Sequence, residues 1–154
     1  MIKAKDIMKQ DVVTITPETS VEEIGRLFIE KGISGAPVVL QNGSLLGIVT
    51  ENDLISQNKK FHIPTILRIF DAFIPMESSS KVEKEIKKMT ASTAAEICTK
   101  EVITVKEETP LSEVATIMAD KKIHLIPVMK DDRIVGIIGK KDVIKGVSKI
   151  SEEQ

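Results

Sequence analysis

Two tetrapeptides in this chain contain side chains that could hold a polar ligand. They are Thr50-Glu-Asn-Asp53 and Gly139-Lys-Lys-Asp142, and each follows a glycine and two apolar residues at the start of a predicted helix. A carboxylate that accepts hydrogen bonds from two vicinal hydroxyls forms charge-assisted bonds of about 1.5–3 kcal/mol each. The free N–H groups and partial positive charge at a helix N-terminus favour phosphate. The two tetrapeptides could therefore bind a ligand that carries neighbouring hydroxyls and a phosphate.

An ordinary helix start has the same residue pattern, so ligand binding is one of two interpretations. Thr50 can cap a helix, and Asp53 in the first turn would stabilise that helix without any ligand. The second tetrapeptide has Gly139 where the first has a threonine hydroxyl, although Lys141 beside Asp142 could supply a positive charge. Two equal sites are therefore not expected.

The two tetrapeptides lie at the ends of two copies of one sequence pattern, residues 11–55 and residues 101–144. The aligned pairs are Thr14 with Thr104, Thr19 with Thr109, Glu23 with Glu113, Ile33 with Ile123, Pro37 with Pro127, Gly47 with Gly136 and Asp53 with Asp142. Two copies of so small a unit are expected to bury their apolar faces against each other. The cleft between them is a favourable place for a ligand.

The first copy is predicted to fold as strand, helix, strand, strand and helix. Residues 12–16 form the first strand, and Ser20 and Gly32 mark the N-cap and the left-handed C-cap of the first helix. Pro37 has no N–H and is therefore expected at the start or the edge of the second strand. Asn42-Gly43 is a strong signal for a hairpin turn between the second and third strands.

The second copy repeats this order of elements. Thr109 is the expected cap of its first helix, with Pro110 at the first helical position, and residues 130–133 form its hairpin turn. A short helix is expected before each copy, at residues 3–8 and 93–98.

The predicted strands are continuously apolar, so the sheets should be covered on both faces. The predicted fold is α+β, with two pseudo-symmetric β-α-β-β-α repeats packed through their sheets and a helical linker between them. The first repeat is expected at residues 1–57, the linker at 58–92 and the second repeat at 93–150. The tail at residues 148–154 is expected to fray.

The linker has no counterpart in the repeated pattern. An apolar stripe runs along its first predicted helix, and residues 81–89 form a second, charged helix. The residues of the stripe are Ile66, Ile69, Phe70 and Phe73. This stripe either packs on the repeats as a strap or forms a surface for another chain, and the sequence leaves both possibilities open.

The composition excludes several classes of function. With 22 basic and 23 acidic residues the net charge is −1, so the chain lacks the general basic field that non-specific nucleic-acid binding needs, and a local basic patch is the alternative left open. No apolar run is long enough for a membrane span, and the charged N-terminus is unlike a secretory signal. The lone Cys98 cannot form an intrachain disulfide, which fits a reducing compartment. We therefore expect a cytoplasmic protein that binds neither nucleic acid nor membrane.

Patterns typical of catalysis and of metal binding are missing from the sequence. There is no glycine-rich phosphate loop, no cluster of metal ligands and no nucleophile–base pair with suggestive spacing, so an enzyme is not expected. His62 has no metal-ligand companion nearby. A cryptic catalytic site or a redox role for Cys98 is a weaker alternative.

The doubled pattern resembles the CBS domain, the small module named after cystathionine beta-synthase, and two copies in tandem resemble a Bateman module. One shared motif is hydrophobic-x-x-x-Pro-hydrophobic, at residues 33–38 and 123–128. The other is Gly-hydrophobic-hydrophobic-Ser/Thr-x-x-Asp, which matches residues 47–53 fully and residues 136–142 except at Gly139. The chain is also similar to small stand-alone bacterial CBS-pair proteins.

This resemblance implies a site for an adenosine-containing ligand between the copies. In nucleotide-binding members of the family the Asp holds ribose hydroxyls, the Ser/Thr side contacts phosphate, and adenine lies just before the first strand of the opposing copy. The positions implied as nucleotide-binding are Gln10, Val12, Ser34, Thr50, Asn52, Asp53, Cys98, Lys100, Val102, His124, Lys141 and Asp142. A surface or structural role is the alternative for His124, and a solvated side chain is the alternative for Lys100.

The resemblance further implies a regulatory module that binds AMP, ADP, ATP or S-adenosylmethionine, requires no cofactor, changes conformation and signals to an unidentified effector protein. Homodimers are expected, because CBS pairs often assemble through their helices into flat discs. The alternative from another class is a ligand-independent interaction or dimerisation scaffold with vestigial clefts, which Gly139 would support.

Overall fold

The computed structural model describes residues 1–59 and 92–153, and the helices predicted near residues 64–75 and 81–89 lie outside the described residues. The helices are α1 (Ala4–Ile7), α2 (Val21–Lys31), α3 (Glu51–Lys59), α4 (Ala94–Ile97), α5 (Leu111–Lys121) and α6 (Lys140–Glu153). The strands are β1 (Gly35–Val39), β2 (Leu45–Thr50), β3 (Val105–Lys106), β4 (Leu125–Lys130) and β5 (Arg133–Gly139). Helix α6 runs to Glu153, so the prediction of a frayed tail from residue 148 is wrong.

Helix α2 begins and ends where the sequence predicts. The Ser20 hydroxyl accepts a hydrogen bond of 3.2 Å from the Glu23 N–H, and Gly32 has a left-handed φ of 62° at the C-cap. Glycine suits this position because it has no Cβ to clash with the following carbonyl group. Ile24 on the buried side of α2 lies in the same core as Val38 of β1, so the helix covers one face of the hairpin.

Helix α5 begins one residue later than predicted. Pro110 is its N-cap rather than its first helical residue, and no side chain caps the helix. The Thr109 hydroxyl instead accepts a hydrogen bond of 3.0 Å from the Lys106 N–H. The predicted capping by Thr109 is wrong because the helix starts too far along the chain for this side chain to reach its free N–H groups. Lys122 takes the left-handed C-cap conformation, with a φ of 54°.

Each repeat contains an antiparallel hairpin with a parallel partner on one side. In the first repeat β1 pairs with β2, and Ile15 forms a parallel bridge with Val38. In the second repeat β3 pairs in parallel with β4, which pairs in turn with β5. The strand predicted at residues 12–16 is therefore reduced to a single bridge.

A proline in β1 explains why this parallel pairing is so short. Pro37 is the third residue of β1 rather than its first, and β1 belongs to a two-stranded sheet, so the predicted edge position is confirmed. Its carbonyl accepts a hydrogen bond of 2.9 Å from the Ile15 N–H. Because its nitrogen points to the same side and has no proton to donate, the parallel ladder cannot extend further back along residues 12–16.

Both hairpins turn as predicted, with different residues. Asn42 accepts a hydrogen bond of 3.0 Å from the Ser44 N–H, and Gly43 has a φ of 90°. In the second hairpin Asp131 and Asp132 take φ values of 52° and 62°. Two consecutive residues with positive φ match the right-handed twist of the flanking strands.

The buried apolar residues form two cores, and each core is completed by a short helix that precedes the other repeat. Ala4 of α1 lies in the core of the second repeat with Val128, whereas Ala94 of α4 lies in the core of the first repeat with Val38. Each copy therefore buries its apolar face with help from the other copy, in part through a short helix that the sequence did not assign to this role. The repeats are joined by an exchange of helices as well as by contact between sheets.

The sheets meet where β1 faces β4. A Cβ atom added to Gly35 would lie 2.7 Å from the Leu125 Cδ2 atom, so the glycine permits this close approach. The molecule is thus an α+β protein of two repeats that pack through their sheets, as the sequence predicts.

The segments that follow the exchanged helices run along the hairpin of the other repeat. Thr99 exchanges two backbone hydrogen bonds with Ile48 of β2, of 2.9 and 3.0 Å. Lys9 exchanges two with Ile137 of β5, also of 2.9 and 3.0 Å. These bridges bring residues 98–100 to β2 and residues 8–10 to β5. The motif aspartates, Asp53 and Asp142, come shortly after these strands in the chain.

Candidate functional site

The surroundings of Asp53 are called the first cleft below and those of Asp142 the second, and the Asp53 carboxylate is the centre of the first. One oxygen, Oδ2, accepts hydrogen bonds from the Thr50 N–H at 2.9 Å and from the Thr50 hydroxyl at 3.2 Å. The other oxygen, Oδ1, accepts a hydrogen bond of 3.3 Å from the hydroxyl of Thr99. Asp53 is half-buried. The carboxylate is therefore held in one orientation and is still reachable from the surface.

These contacts satisfy both interpretations of the Thr50–Asp53 motif. The bond from the Thr50 N–H is the ordinary stabilisation of a helix start, here that of α3. An ionised carboxylate has about four acceptor positions, and the protein fills three of them. The bonds from the two hydroxyls are the longer ones, so a ligand hydroxyl could add to them or replace one.

Thr99 is the functional candidate that the sequence reasoning missed. It comes from the segment before the second repeat, and it contacts Asp53 because its backbone pairs with Ile48. The sequence contains a usable signal, since the resemblance implies nucleotide-binding positions at residues 98 and 100, on either side of Thr99. The equivalent residue of the other copy is Lys9. Comparison of the two copies therefore gives no indication that a hydroxyl at this position is functional.

Cys98 lies against β2 at the back of the first cleft. A Cβ atom added to Gly47 would lie 2.7 Å from the Cys98 sulfur, so only glycine allows this packing. The thiol is 3.7 Å from the Ala95 carbonyl oxygen. Burial raises the pKa of the Cys98 thiol, while the charge of Lys100 acts in the opposite direction. A thiol with a raised pKa is a poor nucleophile at neutral pH, which favours a packing role.

The remaining predicted residues of the first cleft surround the start of α3. The Ser34 carbonyl accepts a hydrogen bond of 3.0 Å from the Glu51 N–H, which places Ser34 at the N-terminus of that helix. The Ser34, Asn52 and Lys100 side chains are exposed, and Val102 is half-buried. The structure thus brings residues 34, 50–53 and 98–100 together, and leaves Val102 two residues beyond this group.

The second cleft is built on the same backbone with different side chains. Oδ2 of Asp142 accepts a hydrogen bond of 2.8 Å from the Gly139 N–H. Lys9 takes the place of Thr99 beside β5, and Met8 takes the place of Cys98, since a Cβ on Gly136 would lie 2.3 Å from its sulfur. Among residues 1–59 and 92–153, no hydroxyl bonds the Asp142 carboxylate.

Asp142 is also less accessible than Asp53. It is only 7% exposed, whereas Asp53 is half-buried. The other predicted residues around it are Gln10, Lys141 and His124, which are exposed, and Val12, which is half-buried. The two clefts are therefore unequal, as the sequence indicated from Gly139.

His124 also borders a hollow on the outer surface of the second repeat, between α5 and α6. This α5–α6 hollow has a volume of about 450 Å³. It is lined by Ala115, Met118, Ala119, Lys122, Ile123, His124, Lys140, Val143 and Ile144. Its lining is apolar apart from Lys122, His124 and Lys140, and neither motif aspartate is among the lining residues.

Neither a cluster of metal ligands nor a membrane-spanning helix is present in the described ranges. No three His, Cys, Asp or Glu side chains there are grouped so that they could hold a metal ion. No helix within residues 1–59 and 92–153 has the length and apolar character needed to cross a bilayer.

The chain is similar to known proteins over nearly its whole length. A family model described as CBS domain matches it twice, at residues 4–59 and 94–149. Protein MJ1426 of Methanocaldococcus jannaschii is 28% identical over 153 residues, which cover 93% of this chain and 89% of that protein. The chloroplastic protein CBSX2 of Arabidopsis thaliana is 25% identical, and the match covers 94% of this chain but only 62% of CBSX2.

Solved structures share the fold. The crystal structure of CBSX2 in complex with AMP superposes with a TM-score of 0.75 at 23% identity, covering 98% of this chain and 99% of that one. The CBS domain pair of protein MJ0100, in complex with 5′-methylthioadenosine and S-adenosyl-L-methionine, gives a TM-score of 0.69 at 25% identity. That match covers 97% of this chain and 98% of the other. The predicted tandem arrangement of two repeats is therefore confirmed.

Proposed function

The chain belongs to the CBS domain family, with two CBS domains in tandem, and we propose that it is a regulatory module that binds an adenosine-containing ligand at Asp53. The observation that carries this proposal is the geometry of the Asp53 carboxylate. Its Oδ1 faces the Thr99 hydroxyl and its Oδ2 faces Thr50, at the N-terminus of α3. This arrangement suits a ribose diol with a phosphate near the helix start.

The ligand class is supported by what related CBS pairs hold. The structure of CBSX2 contains AMP, and that of the MJ0100 domain pair contains 5′-methylthioadenosine and S-adenosyl-L-methionine. All three ligands have an adenosine part with ribose hydroxyls. For this chain we propose AMP, ADP, ATP or S-adenosylmethionine, with Ser34 and Lys100 near the phosphate or sulfonium end of the ligand.

Binding at Asp53 would couple the two repeats. Asp53 belongs to the first repeat, whereas Thr99 belongs to the segment that leads into the second. A ligand whose hydroxyls join or replace this bond would favour one arrangement of the two repeats over another. A population shift of this kind is limited by the difference in affinity for the two arrangements. A partner protein would respond to the favoured arrangement, since this module is proposed to regulate rather than catalyse.

The first cleft is proposed to bind more tightly than the second. Asp142 has a glycine in place of Thr50 and a lysine in place of Thr99, and it is less exposed than Asp53. Lys141 would leave the second cleft with some attraction for phosphate. We therefore expect one strong site in each chain.

Isothermal titration with AMP, ADP, ATP and S-adenosylmethionine tests the proposal. Asp53→Asn is the decisive variant, because its amide oxygen can still accept from the Thr50 N–H and so preserve the start of α3. Loss of charge and of one acceptor should weaken binding about 10- to 100-fold. The matched variant Asp142→Asn should change the affinity of the strong site much less. Absence of binding to all four ligands, or equal effects of the two variants, would overturn the assignment.

A ligand-independent scaffold is the second candidate, and exposed apolar residues favour it. Ile29, Ile55 and Ile144 protrude from helices of both repeats, which indicates a surface for a second copy or another protein. Under either function we propose a homodimer that resides in the cytoplasm. The titration described above distinguishes the candidates, since a scaffold with vestigial clefts would bind none of the four ligands.

A further inference from the structure

We propose that the α5–α6 hollow of the second repeat binds a small amphipathic carboxylate, a ligand with one anionic group on an apolar body. The site at Asp53 is a separate one, because neither motif aspartate lines the hollow. Three features point to this ligand: the size and lining of the hollow, the grouping of its basic side chains, and the backbone conformation of Lys122. The equivalent positions of the first repeat differ in side-chain size and in charge.

The hollow has the size and the lining of a small-molecule site. Its volume of about 450 Å³ lies within the range of about 300–1,000 Å³ that is typical of ligand pockets. Met118 and Val143 belong to its lining and are only 8% and 9% exposed, whereas Ala119 is exposed. An apolar body that contacts these residues is removed from water, which is a main source of affinity in such pockets.

Small side chains keep the hollow open. Ala119 stands where the first repeat has Ile29, and Val143 stands where it has Leu54. Ile29 is 84% exposed and protrudes from α2. An isoleucine at position 119 would therefore occupy space that the alanine leaves to a ligand.

The polar residues of the lining are all basic, and they are Lys122, His124 and Lys140. The equivalent residues of the first repeat include no base, and they are Gly32, Ser34 and Glu51. Within residues 1–59 and 92–153, no carboxylate lines the hollow and neither lysine forms an ion pair. Two lysines without a counterion beside an apolar cavity favour an anionic group on the ligand, because charge-assisted hydrogen bonds are stronger than neutral ones.

Lys122 has a backbone conformation that favours glycine. Its φ is 54°, and the equivalent Gly32 has a φ of 62°. A residue with a Cβ is strained in this left-handed region, so the lysine lowers stability where a glycine would not. Residues held in such sparsely populated conformations are concentrated at ligand-binding sites. Contact between the Lys122 ammonium group and the anionic end of a ligand accounts for a lysine at this position.

Isothermal titration of the full chain with octanoate tests the site, with octanol as the neutral control and acetate as the control without an apolar body. We expect octanoate to bind, octanol to bind about tenfold more weakly and acetate not to bind, because affinity requires both the apolar body and the charge. Equal affinity for octanoate and octanol would overturn the proposal. So would absence of octanoate binding, including in a chain that light scattering finds dimeric, where a second copy would cover the hollow.

Ala119→Ile tests whether octanoate occupies the hollow. This substitution introduces the residue of the first repeat and should abolish octanoate binding, because the larger side chain fills the hollow while both lysines remain. Ile29→Ala is the matched control in the first repeat and should leave octanoate binding unchanged. Unchanged affinity in Ala119→Ile would mean that octanoate binds elsewhere, and this result would overturn the proposal.

Lys122→Gly separates ligand binding from folding. The variant should bind octanoate about tenfold more weakly, because one charge-assisted contact is lost, while its free energy of unfolding rises through relief of the left-handed strain. Weaker binding by a more stable protein has no explanation in damage to the fold. Unchanged octanoate affinity in this variant would refute the contact from Lys122.

Failure of this inference is distinguishable from failure of the proposed ligand site. Ala119 and Lys122 lie outside the residues assigned to either cleft, so Ala119→Ile and Lys122→Gly should bind the adenosine ligand as the wild type does. Parallel loss of octanoate and adenosine binding in Ala119→Ile would contradict a separate site in the hollow.

Discussion

At the scale of single residues, the first cleft depends on side chains that combine a structural with a functional role. Asp53 stabilises the start of α3 through the Thr50 N–H, and the same carboxylate is the proposed ligand acceptor. Gly47 allows Cys98 and Thr99 to lie against β2, which in turn brings the Thr99 hydroxyl to Asp53. A larger residue at Gly47 should therefore displace Cys98 and Thr99 and so disturb the contact with Asp53.

Gly47→Ala should destabilise the protein, because its new Cβ would lie 2.7 Å from both the Cys98 sulfur and the Thr99 carbonyl oxygen. Overpacking of this kind lowers the free energy of unfolding by about 1–3 kcal/mol. Urea unfolding measures the loss. Gly25→Ala is the matched control, since nothing lies within 4 Å of the added atom, and it should leave stability unchanged or raised by up to about 1 kcal/mol. Equal losses in the two variants would contradict the packing argument.

At the scale of elements, the two repeats use different residues to end and to join the same helices. Helix α2 ends in Gly32, whereas α5 ends in Lys122 in the same left-handed conformation. Helix α1 is tied to the loop before α5 by ion pairs from Lys3 and Lys5 to Glu108. For each such residue, the equivalent residue of the other repeat provides a control variant.

Lys122→Gly should stabilise the protein by relieving the left-handed strain of a residue that has a Cβ. We expect the free energy of unfolding to rise by about 0.5–1 kcal/mol, after the greater entropy of glycine in the unfolded chain is subtracted. Thermal unfolding followed by circular dichroism measures it. Gly32→Ala should have the opposite effect, and a stabilised Gly32→Ala chain would refute the explanation.

Glu108 should make stability depend on pH in the acid range. Hydrogen bonds from Lys3 and Lys5 hold the pKa of Glu108 at about 2, below its ordinary value of 4.5. A carboxyl with a lower pKa in the folded state stabilises the fold above its unfolded pKa. That stabilisation is lost as the pH falls through the interval from the unfolded to the folded pKa.

We therefore expect Glu108→Gln to lower the Tm at pH 7 and to leave it unchanged near pH 2. The difference should shrink at high salt, since Glu108 is exposed. Glu18→Gln is the control at the equivalent position of the first repeat, where the opposing residues are Thr93 and Ala95 rather than lysines. A pH-dependent difference of the same size in both variants would contradict the role of the two lysines.

At the scale of the whole molecule, neither repeat is complete without the other. Helix α1 fills the core of the second repeat, and α4 fills the core of the first. Thr99 and Lys9 reach the opposite hairpins for the same reason. A ligand at Asp53 therefore acts on a junction between repeats rather than on one repeat alone.

Ala4→Asn should destabilise the second repeat more than the first. Ala4 is completely buried, and an unpaired amide in that core costs about 1–3 kcal/mol. Amide hydrogen exchange should lose protection first in β4 and β5. The matched variant Ala94→Asn should instead affect β1 and β2, since Ala94 lies in the first core. The exchange of helices would be refuted if Ala4→Asn reduced protection first in β1 and β2 and Ala94→Asn first in β4 and β5.

Much of the candidate site could be predicted from local sequence. Ser20, Gly32 and Asn42-Gly43 mark a helix start, a helix end and a turn through contacts within a few residues. Asp53 was found because a repeat places two similar motifs at corresponding helix starts. Local rules failed at Thr109, whose hydroxyl bonds to the Lys106 N–H in the preceding turn instead of capping α5.

The sequence by itself determined that two repeats of strand, helix and hairpin exist, that each ends in an aspartate at a helix start, and that the two motifs differ at Thr50 and Gly139. Only the tertiary structure decided that the short helices exchange cores and that Thr99 contacts Asp53. The physical reason is the range of the interactions. Caps, turns and periodicity depend on neighbours along the chain, whereas these contacts join residues far apart in sequence and depend on how the elements pack.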